Sequence, residues 1–222
     1  MKGLDFSQVN WEEIGTSSTD TLLMLGYSAL FTFLVGLPLG VLLFVLSRSN
    51  FWVSRWVYRV LSLVVNILRS IPFIILIVAL IPITRSIVGV SMGVKGTIVP
   101  LVIAAAPFFA RLIETALREV DRGVIEASQA MGASIWQIVR KVLLPESLPG
   151  IIAAMTITVV TLVSYTAMSG MVGGGGLGDL AIRYGYYRYK SEVMIVAIVL
   201  MVILVQILQM VGDRLVSHFT RK

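Results

Sequence analysis

The chain has 222 residues, of which 57% are hydrophobic and only 14% charged, and its mean hydropathy is +0.93. An average soluble domain carries about 25% charged residues, so too few charges remain to cover a globular surface, and the composition excludes both a water-soluble domain and a disordered chain. The absence of cysteine excludes a disulfide framework, thiolate metal sites and a cysteine nucleophile. The net charge of +6 sits at the ends of apolar runs, which is a pattern of membrane topology rather than of nucleic-acid binding.

A bilayer core about 30 Å thick takes about 20 apolar residues as helix. Charge-free stretches of that kind run over 21–47, 70–84, 96–110, 147–178 and 193–212. The first is too long for the h-region of a signal peptide, about 7–15 residues, and its acidic flank (Asp5, Glu12, Glu13 and Asp20 against Lys2) is wrong for one. It is therefore expected to remain as a span. Gly36-Leu37-Pro38-Leu39-Gly40 interrupts the first stretch, Pro72 the second, and Pro100 and Pro107 the third. Each is read as an ordinary kink or as a place where a freed carbonyl meets a pathway. No internal repeat is evident, which disfavours an inverted-repeat secondary transporter.

Positive residues set the orientation. Arg48, Arg55 and Arg59 follow the first span; Arg111, Arg118, Arg122, Arg140 and Lys141 follow the third; Arg214, Arg221 and Lys222 end the chain. The opposite side has the smaller set of Lys2, Arg85, Lys95, Arg183, Arg188 and Lys190. The expected fold class is an all-α integral membrane protein of five transmembrane helices, with the N-terminus outside and the C-terminus cytoplasmic. Its layout is an external segment 1–16, a transmembrane domain 17–212 and a tail 213–222. Spans are expected at about 20–46, 62–84, 94–113, 147–170 and 193–212, with a cytoplasmic loop at 114–146.

That loop carries strong local signals. Asp121 caps a short helix through about Met131, and Gly132 fits the left-handed position after its end. Ser134 caps a second helix, with Gln137 placed to complete a capping box, and Pro145 marks the passage into the fourth span. Ala127, Ala130, Met131 and Ala133 give a small, smooth apolar surface, to which Glu126 adds one charge. Such a helix suits a partner's groove or the lipid interface.

Glu126-Ala127-Ser128-Gln129-Ala130-Met131-Gly132-Ala133, followed by Lys141-Val142-Leu143-Leu144-Pro145-Glu146, resembles the EAA loop of bacterial ABC-importer permeases of type I. The family pattern is Glu-Ala-Ala, three residues, Gly, and a later Ile-x-Leu-Pro. Here Ser128 replaces the third alanine, and Val142 or Leu143 stands in the isoleucine region. The likeness runs over about 17–212 and is greatest to the methionine-uptake permease subfamily, through Asn66–Phe73, Ala106–Leu112, Glu119–Glu126 and Gly175–Gly178. The resemblance implies a homodimeric permease in the bacterial inner membrane, with two cytoplasmic ABC ATPase subunits, an external substrate-binding lipoprotein and lipid as its surroundings. It assigns ATPase coupling to Glu126, Ala127, Ala130, Met131, Gly132 and Ala133, in a coupling helix between spans three and four. The implied cargo is methionine or a similar small amino acid; another amino acid or small solute, or ATP-independent secondary transport, are the alternatives.

No phosphate-binding G-x-x-x-x-G-K-[ST] occurs, so ATP hydrolysis belongs to a partner chain and this chain is not an enzyme. Neither a catalytic group nor a metal site or cofactor is expected. Gly173–Gly178 reads as a tight external turn or as a flexible edge at the outer mouth. Candidate pathway or gate residues are Ser70, Pro72 and Phe73 in the second span, and Tyr165, Met168, Ser169 and Met171 in the fourth, with Ser164 and Thr166 beside them. A methionine-like cargo needs a moderately apolar passage, which soft Met side chains suit, although Met and aromatics also serve as packing. Arg69 either snorkels to the interface or pairs with carbonyls near Pro72. Tyr186, Tyr187 and Tyr189 form an interfacial belt or meet the binding protein.

Overall fold

Asn10 starts the first helix: its side-chain oxygen accepts the Glu13 amide at 3.2 Å, an N-cap that satisfies one of the orphan donors of the first turn. From there α1 runs from Trp11 to Arg48 with Glu12 and Glu13 in its first turn and Arg48 in its last, both favourable to the helix dipole. The computed structural model describes residues 9–48 and 52–220. The flanking charges Lys2 and Asp5, and Arg221 and Lys222 of the tail, lie outside the described residues.

The elements that follow are α2 (Trp52–Ser70), α3 (Phe73–Ala79), α4 (Ile81–Val88), α5 (Gly93–Arg118), α6 (Arg122–Ala130), α7 (Ile135–Ile138), α8 (Leu144–Glu146), α9 (Leu148–Ser169), α10 (Gly176–Leu180) and α11 (Ser191–Phe219). A π-helical turn, Val139–Leu143, joins α7 to α8. All regular elements among the described residues are helical.

Four stretches are long and apolar enough to cross a membrane: Trp11–Arg48, Gly93–Arg118, Leu148–Val172 and Ser191–Phe219. The stretch expected as one span over 62–84 is instead broken. Between Ser54–Ser70 and Phe73–Ala79 the chain bends by 103°, and a fifth crossing exists if that bent pair is one span. Pro72 explains the break: it lacks an amide to continue α2 and has extended ψ of 134° as the N-cap of α3. The third apolar run does not stop at Arg111, because α5 carries it as helix through Arg118.

The chain divides into two compact units. One comprises Met1–Phe31, Ile71–Ala104 and Val159–Leu208. Its apolar core joins Val9 and Ile14 to Leu177 and Leu180 of α10 and to Val193 and Ala197 of α11. The glycine-rich turn after α9 is fastened here by hydrogen bonds. Gly93 N–H donates to Gly173 O at 2.9 Å, and Leu177 N–H donates to the buried Thr21 Oγ1 at 2.8 Å.

The other unit comprises Thr32–Ser70, Ala105–Thr158 and Gln209–Lys222. Phe44, Phe109, Ile113, Leu117, Val120 and Ile125 pack there with Ile138, Val139, Leu143, Ile151 and Ala154. Two α1 glycines allow a close helix approach in this unit. A Cβ at Gly36 would lie 2.8 Å from the Phe109 ring and one at Gly40 2.6 Å from both Ala110 O and Ile113 Cβ. This small-x-x-x-small pair lets the α1 and α5 backbones touch, as in membrane helix packing generally.

Candidate functional site

The 121–147 segment belongs to the second unit and is built by caps. Asp121 accepts the Gly123 amide at 2.6 Å and opens α6. At the far end Gly132 has φ of 79°. Its amide donates to Gln129 O at 2.9 Å, and the Ala133 amide to Ser128 O at 3.1 Å, the bond pair of a Schellman motif. The capping box is complete: Gln137 N–H donates to Ser134 Oγ at 3.3 Å, and Ser134 N–H to Gln137 Oε1 at 2.8 Å. The Leu144 amide then bonds back to Val139 O across the π turn, just before Pro145, which has no amide to offer Lys141. Ser147 closes the junction with α9, its buried hydroxyl donating to Leu143 O at 2.6 Å.

These bonds fix which way each face points. Ile125, Ser128, Ile138, Val139 and Leu143 face inward and are buried. Glu126, Ala127, Ala130 and Gly132 are exposed, Ala133 is half-buried, and Met131 is 80% exposed. Val124, Ala127 and Met131 recur at spacings of three and four, so one helical stripe of α6 is apolar and uncovered in this chain. The stripe is held rigidly from behind by Ile125 in the core cluster.

The gate candidates are arranged less uniformly. In the first unit Phe73 is buried and stacks on Tyr165, with ring centroids 4.5 Å apart and planes within 7°. Ser169 is fully buried, and its hydroxyl turns back to Thr166 O at 2.7 Å. Met168 and Met171 are exposed. Pro72 is exposed at the bend, and in the second unit Ser70 spends its hydroxyl on Asn66 O at 2.8 Å. Arg69 lies over the Phe108 ring at 5.7 Å, a cation–π contact. Tyr186, Tyr187 and Tyr189 are exposed, while Arg183 pairs with Asp179 at 3.0 Å and Glu13 at 3.5 Å.

Sequence reasoning missed the charge cluster on α5. Glu114 is 1% exposed. It pairs with Arg111, accepts from Arg118 at 2.6 Å and receives the Tyr58 hydroxyl at 3.0 Å. Arg111 in turn donates to Ser62 Oγ at 2.7 Å and Asn66 Oδ1 at 3.0 Å. The cluster clamps α2 to α5 with charge-assisted bonds. Its signal was readable: Arg111, Glu114 and Arg118 sit at i, i+3 and i+7 of a continuous helix.

A family model described as binding-protein-dependent transport system inner membrane component matches residues 36–222. The D-methionine transport system permease protein MetI of Escherichia coli O157:H7 is 56% identical over 141 residues, which cover 64% of this chain and 65% of that protein. The protein of that name from Yersinia pestis is 54% identical over 141 residues, with the same coverage. The aligned sequence thus spans slightly less than two thirds of the length of these curated relatives. A solved chain from inward-facing conformations of the MetNI methionine ABC transporter, CY5 native crystal form, is 52% identical with a TM-score of 0.91, over 95% of this chain and 98% of that one.

Proposed function

Because the chain belongs to the family of binding-protein-dependent transport system inner membrane components, we propose that it is the membrane-spanning permease subunit of an ATP-driven importer for methionine. It works as a homodimer with two cytoplasmic ABC ATPase subunits and an external substrate-binding lipoprotein. The five spans of the proposed domain 17–212 cross the bacterial inner membrane with the N-terminus outside, and the tail 213–222 is cytoplasmic. The likeness to the methionine permeases named above supports the cargo. The positive residues at the ends of α1, α5 and α11 support the orientation.

The observation that carries the coupling mechanism is the uncovered apolar stripe of α6, Val124, Ala127 and Met131, on a helix capped at both ends. Glu126, Ala127, Ala130, Met131, Gly132 and Ala133 are the ATPase-facing residues in this reading. ATP brings the two motor subunits together, and each carries a seated α6 with it. The Schellman turn, the capping box and the bonded π turn leave few soft joints between α6 and α9, so the displacement passes into α9 as movement of a rigid element. Further along, α9 carries Tyr165, Met168 and Ser169, and Met171 follows in the short turn Gly170–Val172. With Ser70, Pro72 and Phe73 they are the proposed pathway and gate, where separating the Phe73–Tyr165 stack opens the passage. Two stacked rings hold a closed state by about 0.5–1.5 kcal/mol, small enough for a motor stroke to reverse.

Vesicles containing this chain, its ATPases and its binding protein test the reading. ATP-dependent accumulation of labelled methionine is expected, with competition by unlabelled methionine. Accumulation without ATP would overturn the energetic mechanism. A different solute as the sole competitor would move the cargo to another amino acid.

A further inference from the structure

We propose that the groove between α1 and the α7–α8 segment binds one acyl chain of an anionic phospholipid. The groove has a volume of about 580 Å³, within the range of about 300–1,000 Å³ typical of ligand clefts. Pro38, Leu42 and Val45 form one wall, and Ile135, Trp136 and Leu144 the other. The walls offer a headgroup nothing polar beyond the Trp136 indole N–H.

Three observations select a lipid as the occupant. First, the α1 wall lies within a helix long and apolar enough to cross a membrane, so the medium against it is hydrocarbon. Second, cations flank the groove residues along the chain. Arg48 lies one turn beyond Val45 and is stacked on Phe44 at 5.3 Å; Arg140 and Lys141 directly follow Val139, another groove residue, and all three cations are exposed. Against them residues 135–146 contain a single acid, Glu146. Third, Trp136 is 69% exposed and Ile135 65%, and an indole with one apolar and one polar end prefers the level of lipid headgroups. The tail therefore lies along Pro38–Val45, with the phosphate at Arg48, Arg140 and Lys141. The inference rests on the chain spanning a membrane and not on its transport activity.

Acyl-chain quenching of Trp136 tests it. The complex of this chain with its ATPases is placed in nanodiscs carrying a minor fraction of chain-brominated phosphatidylglycerol or, separately, chain-brominated phosphatidylcholine. Trp136 emission is taken as the difference between the native chain and Trp136→Phe. Phosphatidylglycerol is expected to quench at lower mole fraction, by about fivefold for each cation engaged. Arg48→Gln and Lys141→Gln, which leave the groove walls intact, each remove about that factor. Leu42→Phe, which fills the groove, abolishes the preference. Equal quenching by the two lipids would reduce the groove to unselective lipid contact, and no quenching by either would show that protein covers it. Either result overturns the site. Methionine uptake by the same preparation is read separately, so failure of the lipid site and failure of the importer reading are distinguishable.

Discussion

Gly132 occupies the left-handed region with φ of 79°, yet a Cβ built there meets no other atom of the chain within 4 Å. A side chain therefore costs only the conformational strain, about 1–2 kcal/mol and less for Asp. The fold should survive Gly132→Asp, and the damage should fall on whatever sits against the turn. We expect Gly132→Asp to insert normally and to lose either ATPase co-purification or the link between hydrolysis and uptake, with Gly132→Ala intermediate. Co-purification yield and methionine uptake per ATP check this; native uptake by Gly132→Asp would remove α6 from the docking role. Glu114 predicts the opposite behaviour, since its consequences lie inside the chain. Glu114→Ala leaves the largely buried Arg111 without its carboxylate, and should cost about 3 kcal/mol, the low end for a broken buried pair, because Arg118 is half exposed. Glu114→Gln keeps an acceptor for Tyr58 and should cost less. Thermal unfolding of the detergent-solubilised chain measures both.

At the scale of elements, α1 and α5 meet through Gly36 and Gly40, and the contact leaves no room for a methyl group. Gly40→Ala drives a Cβ into Ala110 O and Ile113. Overpacking of that kind costs about 1–3 kcal/mol, so a lower unfolding temperature is expected, with Gly15→Ala as a control whose Cβ meets nothing. The contrast shows what the sequence could and could not reveal. Asp121, Gly132, Ser134 and Gln137 were legible because a cap is decided within a few residues by hydrogen bonds the chain makes to itself. Gly36 and Gly40 read only as interruptions, because their meaning depends on Phe109 and Ala110, brought near by folding. The Phe73–Tyr165 stack was hidden for the same reason: each ring was a candidate on its own chemistry, and nothing local pairs them. The bend at Pro72 was marked by the proline but read as a kink within a span. Glu114 was missed through a misplaced helix end, since a span drawn to 113 parts Arg111 from Glu114 and Arg118, although the three share one face of α5.

At the scale of the whole molecule, the orientation rests on positive residues alone, and the natural absence of cysteine makes it directly measurable. Single cysteines at Tyr189 and at Met131 each replace a highly exposed side chain, so neither substitution disturbs a core. In the proposed topology the two positions lie on opposite sides of the membrane. A membrane-impermeant maleimide added to intact spheroplasts should label Tyr189→Cys and leave Met131→Cys untouched until the membrane is opened. The same reagent separates the two occupants considered for α6. If an ATPase covers the Val124–Ala127–Met131 stripe, labelling of Met131→Cys in opened membranes should fall several-fold when the ATPase is co-expressed and recover when it is stripped away. If the stripe lies on lipid instead, labelling should be slow in both cases and insensitive to the ATPase. Labelling of Met131→Cys from outside would invert the topology, and with it the whole path from motor to α9.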